Sequence, residues 1–355
     1  MFYRQAGQLR TSYAQDARFI PFREDRAMLA LILIAAYLVI PFAASDYWLT
    51  GILVPWLALS CAAMGQNILM GYAGQHSLGS AGFMAVGAFA CWNLIHRIDG
   101  MPFLLAIILA GVIAALVGIV FGLPSLRVRG IYLAVATLAA QFFIVWVIDK
   151  FGWFKDYDSS GIITAQDMTV LGHAFTSPAE KYIMVLFVVT VMTWIASNMA
   201  RSSTGRNWMA VRDMDVAAEV MGLSLLWTKL QAFAISSFYC GVGGALFAYA
   251  YLQSVEPAAF DIYLSFRIMF MAIIGGLATI IGPFLGAAFI LLLPVFLNTF
   301  FQAFFGEAVG ATTVSALEQV IFGVAIILFM IYEPLGLARL LQQGLDRLRN
   351  WPFKY

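Results

Sequence analysis

Apolar runs of about 20 residues punctuate this chain, and that is the length a helix needs to cross roughly 30 Å of hydrocarbon. They recur near residues 27–44, 45–70, 79–95, 101–122, 131–148, 182–200, 230–252, 264–281, 283–301 and 316–332. Composition agrees: 62% of the 355 residues are hydrophobic and 11% charged, against about 25% charged in a soluble domain. A globule of this size cannot hide that much apolar surface from water, so the solvent is lipid for much of the chain. In lipid the backbone must satisfy its own hydrogen bonds, so the runs are helices. The fold class is therefore all-α and polytopic, with about ten transmembrane helices.

An even number of spans puts both termini on one side, and Lys and Arg say which. With the N-terminus inside, the inner segments hold fifteen of the 20 basic residues. The outer segments hold five: Arg97, Lys150, Lys155, Lys181 and Arg267. This bias predicts cytoplasmic N and C termini. It divides the chain into a cytoplasmic segment (1–26), a membrane domain (27–336) and a basic cytoplasmic tail (337–355). Within the membrane domain, 149–181 is a periplasmic excursion and 201–229 a cytoplasmic loop. The first apolar run follows a long polar lead with no small-residue cleavage site, so it reads as a retained anchor rather than a signal peptide.

No Asp, Glu, Lys or Arg falls near the middle of an expected span; Asp149, Arg267, Glu318 and Glu333 all sit at ends. Intramembrane charges cost a few kcal/mol and mark proton or ion pathways, so proton coupling is disfavoured. The chain also lacks a Gly-x-x-x-x-Gly-Lys-[Ser/Thr] phosphate loop. If it serves active transport, the ATPase is a separate chain. Cys61, Cys91 and Cys240 lie in apolar runs without metal spacing and read as packing residues. No nucleophile–base pair argues for an enzyme, and no basic patch argues for nucleic acid.

The loop Arg201–Lys229 is the longest charged interruption. From Gly205 to Gly222 it has room for about four helical turns, with Trp208, Val211, Ala218 and Met221 on one broad face. Asp213, Asp215 and Glu219 form an acidic stripe, Ser203 or Thr204 stands where a start cap belongs, and Gly222 where an end cap belongs. Such a helix suits a groove on a partner, the bilayer surface, or its own bundle.

The stretch Gly205–Gly222 resembles the cytoplasmic coupling loop of the LivM-type permease subunits of branched-chain amino acid ABC importers. Three further stretches agree: Gly71-Tyr72-Ala73-Gly74-Gln75-His76-Ser77-Leu78-Gly79, Leu126-Arg127-Val128-Arg129-Gly130-Ile131-Tyr132-Leu133-Ala134, and Gly275-Gly276-Leu277-Ala278-Thr279-Ile280-Ile281-Gly282-Pro283. In the last, Ala278-Thr279 replaces the family's Gly-Ser, which questions the close backbone approach glycine permits. The resemblance covers roughly residues 27–336. It implies an inner-membrane permease moving branched-chain amino acids or a related small solute. A second permease, two cytoplasmic P-loop ATPases carrying the ATP and Mg, and a periplasmic solute-binding protein would complete it. It makes Arg206, Trp208, Arg212, Asp213, Asp215, Glu219 and Gly222 the ATPase-coupling residues. It also suggests an inverted repeat relating spans 2–5 to spans 7–10. No cofactor or metal is expected in this chain.

For the solute path, the glycine-rich turn near 71–82 is the first candidate: a broken helix offers backbone groups to a passing solute. Gly74, Gln75, Ser77 and mid-span Gln141 are its expected lining. Gln66, Asn67, Asn93, Asn198 and Asn298 read as interhelical hydrogen bonds. The alternative from another class is an ion-driven carrier or channel working without an ATPase.

Overall fold

The computed structural model describes residues 23–125, 131–157, 161–170, 172–305 and 335–350, with isolated positions between 317 and 331. Its helices are α1 (Arg26–Ala43), α2 (Asp46–Tyr72), α3 (Ser80–Arg97), α4 (Phe103–Ser125), α5 (Ile131–Lys150) and α6 (Pro178–Arg201). Then come α7 (Ser203–Asp213), α8 (Asp215–Val220), α9 (Leu225–Leu252), α10 (Ile262–Gly275), α11 (Gly282–Phe305) and α12 (Leu337–Asn350). Seven of the described helices are long and apolar enough to cross a membrane: α1, α2, α4, α5, α6, α9 and α11. The chain is thus a polytopic α-helical membrane protein.

Several boundaries differ from the sequence reading. The eighth run, expected to reach Ile281, is a 14-residue helix ending at Gly275. At about 1.5 Å per residue it covers roughly 21 Å and does not cross alone. Gly276 (φ +116°) and Ala278 (φ +58°) turn the backbone out of helix, and α11 starts at Gly282. Arg267, expected at a span end, therefore lies within α10, with Tyr251 and Asp261 as its electrostatic neighbours. The tenth run is described only at scattered positions, and residues 1–22, 126–130 and the last five residues lie outside the described residues.

The excursion contains a 3-10 turn (Gly152–Lys155) and short strands β1 (Ile163–Thr164), β2 (Met168–Val170) and β3 (His173–Phe175). β2 and β3 form a hairpin, while β1 pairs antiparallel with β4 (Ser254–Val255), just past α9. The end of α9 is thereby tied to the excursion.

At the centre lie α2 and α9, the most deeply buried of the candidate spans. With no hydrophobic drive between helices in lipid, close packing of small residues must hold them. α9 supplies it: a Cβ on Gly87 of α3 would stand 2.1 Å from the Gly241 carbonyl oxygen, so α3 and α9 touch backbone to backbone. Between α2 and α9 the contact is reciprocal. Cys61 Sγ donates to the Tyr239 carbonyl at 3.8 Å, and Cys240 Sγ to the Ala62 carbonyl at 3.7 Å. All three cysteines are buried and free, as expected of packing residues.

A glycine-rich turn held by the cytoplasmic-type loop

α2 ends in a π-turn, Ile68–Tyr72, which widens the helix and releases carbonyls from the ordinary ladder. The chain then bends through Ala73–Gly79, with Gly74 at φ +68°. Each bend is satisfied from another element. Gln75 N–H donates to the Leu69 carbonyl (3.0 Å), and Gln66 Nε2 to the Ser77 carbonyl (2.7 Å). Leu78 N–H donates to Thr137 Oγ1 of α5 at 2.9 Å. The first turn of α3 has orphan N–H groups, as every helix start does. Here Ser265 Oγ of α10 accepts from Ala81 N–H at 2.9 Å, and Gln141 Oε1 of α5 accepts from Gly82 N–H. Gln141 Nε2 donates to the Phe260 carbonyl at 2.8 Å and Ser265 Oγ to Gln141 Oε1 at 3.3 Å. Gln141 is thus an interhelical clamp on the start of α3.

The loop grips the other end. Arg212, in the last turn of α7, donates Nη1 to the Gly71 carbonyl at 2.7 Å and Nε to Asp213 Oδ1 at 2.8 Å. Its stem lies on Gly74, where an added Cβ would meet Arg212 Cγ at 2.7 Å. From Gly71 the contact continues inward. Asn67 Nδ2 donates to the Thr279 carbonyl (2.7 Å) and its Oδ1 accepts from Ala278 N–H (2.8 Å). A Cβ on Gly71 would stand 2.4 Å from Ala278 N. The close approach questioned by Ala278-Thr279 is therefore made, with Gly71 supplying the room.

The loop is not the single helix expected from Gly205 to Gly222. Met214, at φ −153° and ψ 94°, breaks it into α7 and α8. Ser202, rather than Ser203 or Thr204, takes the N-cap position, with no side-chain cap bond. Gly222 (φ +87°) does end α8: its N–H reaches the Glu219 carbonyl, and Leu223 N–H the Ala218 carbonyl, the double closure of a Schellman motif. The apolar face divides. Trp208, Val211 and Ala218 are buried in the chain's own packing, and Met221 is exposed. Trp208 Nε1 has no partner among the described residues. Val216, Val220 (84% exposed) and Met221 instead form an outward apolar ridge, with Glu219 exposed beside them and Arg206 exposed on α7.

In the turn itself Gly74 and His76 are exposed while Gln75 and Ser77 are buried. Gln75 Nε2 and Ser80 Oγ are buried without a hydrogen-bond partner among the described residues. Unmade bonds of this kind are costly unless something fills them. Asn198 lies exposed, and its side chain makes no interhelical hydrogen bond among the described residues. Asn67, Thr137 and Ser265 carry more of the site than the sequence reading gave them. Asn67 stands one helical turn before Gly71, a signal that was present; a Thr and a Ser in apolar runs give none.

A bundle of helices apolar enough to cross a membrane, with a glycine-rich turn at the end of α2 held by the short helix α7, fits a membrane transport protein. The chain belongs to the family described as branched-chain amino acid transport system / permease component, whose model matches residues 48–330. It is 26% identical over 310 residues to the high-affinity branched-chain amino acid transport system permease protein LivM of Escherichia coli, covering 81% of this chain and 69% of that one. The Salmonella typhimurium LivM is 27% identical over 297 residues, 77% of this chain and 66% of that protein. A probable LivM of Methanocaldococcus jannaschii is 21% identical over 327 residues, 81% of this chain and 93% of that one. The chain thus spans about two thirds of the enterobacterial relatives. No solved structure matches it. It is a multi-pass transport protein of the inner membrane.

Proposed function

We propose that this chain is one of two membrane subunits of an ATP-driven importer for branched-chain amino acids or a related small solute. A cytoplasmic ATPase docks on the Val216–Val220–Met221 ridge of α8, flanked by Glu219 and Arg206. Motion of α7–α8 passes through Arg212 into Gly71 and Gly74, and from there to Asn67 and the Ala278–Thr279 bend. The observation that carries this reading is the Arg212–Gly71 bond, which links α7 to the glycine-rich turn at the end of α2. Asp213 serves by holding Arg212; Trp208 serves by packing α7 under the bundle. The solute passes the glycine-rich turn, where Gln75 and Ser80 offer unpartnered polar groups.

The inverted repeat gains support from the helix boundaries. α2 and α9 begin at 46 and 225, α4 and α11 at 103 and 282, and Cys61 pairs with Cys240; each is 179 residues apart. α2 and α9 both close on a π-turn. The end of α2 faces the loop, and the end of α9 faces the excursion, as inversion requires. Rocking of one repeat against the other would then alternate access.

Purification of the tagged chain from native membranes, with mass spectrometry of what accompanies it, tests the class. A second permease and P-loop ATPases are expected. Isolation of the chain alone, with solute uptake into liposomes that contain no ATP, would refute an ATP-driven importer.

A further inference from the structure

A slot of about 550 Å³ opens between α3, α4 and α5 at the end of the molecule that carries the excursion. α3 forms its back wall from Val86 to Arg97, about 16 Å at the rise of a helix. Phe121 of α4 and Phe143 of α5 meet edge to face at 6.0 Å at one end of it. Trp153 and Phe154 of the excursion's 3-10 turn roof the other end. The wall is almost entirely carbon, and its polar side chains, Asn93 and Arg97, sit together under the roof. Asn93 Nδ2 donates to the Phe89 carbonyl (2.8 Å) and the Phe154 carbonyl (3.1 Å), and its Oδ1 accepts from Arg97 Nε at 2.9 Å.

The lips of the slot, Ile113 and Phe143, are exposed side chains of membrane-crossing helices, so it opens sideways into hydrocarbon. A void there forfeits the dispersion contacts of its lining. The neighbour able to restore them is a lipid tail. Tails are as apolar as the wall, so apolar burial alone selects nothing; the cation at the roof does. The Arg97 guanidinium lies 4.2 Å from the centre of the Trp153 ring and donates Nη2 to the Trp153 carbonyl at 2.8 Å. Among the described residues no carboxylate pairs with it. Guanidinium carries five N–H donors in a fork suited to phosphate, and these two bonds together with the ring hold it in place at the mouth.

We propose that the slot is a phospholipid site: one acyl chain lies against α3 between α4 and α5, and the anionic headgroup phosphate pairs with Arg97. The lipid braces the excursion against α3, the helix that the glycine-rich turn begins.

The test uses the full chain in its native assembly, reconstituted in phosphatidylethanolamine vesicles with a trace of phosphatidylglycerol bearing a diazirine on its acyl chain. After irradiation, labelled peptides are mapped by mass spectrometry. Label is expected to concentrate on the slot faces of α3, α4 and α5. Ala90→Trp fills the slot from its back wall and should lower that label several-fold, with label on other lipid-facing helices unchanged. In the wild type the phosphatidylglycerol probe should exceed a diacylglycerol probe in the slot; Arg97→Gln should abolish that preference and Arg97→Lys keep part of it. Even labelling of all lipid-facing helices would overturn the proposal, as would slot label indifferent to Ala90→Trp or to headgroup charge. A peptide of another subunit captured at the slot in place of lipid would overturn it too. Unchanged gel-filtration elution certifies each variant as folded.

Discussion

Arg212 has two partners of different kinds: a backbone carbonyl at the break in α2 and the neighbouring Asp213 carboxylate. A hydrogen bond from a charged group contributes about 1.5–3 kcal/mol where it is shielded, and a side chain one-third exposed is screened toward the lower end of that range. Arg212→Gln is therefore expected to leave the assembly intact and cut solute-stimulated ATPase activity on the order of tenfold. Wild-type stimulation in that variant would show that the bond transmits nothing. Ala278 makes a second residue-scale case. It holds φ +58°, a conformation costing a side-chain-bearing residue roughly 1–2 kcal/mol. Ala278→Gly relieves that strain, offset in part by the greater freedom of glycine when unfolded. Thermal unfolding in detergent should show a midpoint equal to or higher than wild type, and a clear fall would contradict the strain.

Among the elements, α7 and α8 divide the work that sequence assigned to one helix. Trp208 of α7 is buried, so Trp208→Ala removes a large core side chain, at about 3–5 kcal/mol. It should lower yield and melting temperature before it affects any partner. Val220 of α8 is 84% exposed, so Val220→Glu should leave yield and melting temperature unchanged and abolish capture of the ATPase. A melting temperature that falls equally in both variants would mean that the ridge is part of the fold rather than a docking face.

For the whole molecule, the loop and the excursion are expected on opposite faces of the membrane. Glu219 and Asp167 are exposed, and the native cysteines are buried. An impermeant maleimide should label Asp167→Cys in right-side-out vesicles and Glu219→Cys only in inverted ones, with the native thiols silent. Labelling of both from one face would break the topology and the coupling model with it.

Sequence alone determined the solvent, the helical class and the positions of most helices. The physical reason is that lipid leaves the backbone one local way to satisfy itself, and twenty apolar residues announce it. It also placed Gly222 as a helix terminator, because a left-handed end is a local property of glycine. Tertiary structure decided what depends on partners far away in the chain. Gln141 became a clamp on the start of α3, since Gly82 and Phe260 meet it there. Trp208 turned inward and Val220 outward when Met214 broke the helix. The 179-residue offset between the starts of α2 and α9, and of α4 and α11, could be read only once helix boundaries were laid side by side. Packing in lipid asks only for small residues at matching depths, and many sequences meet that demand.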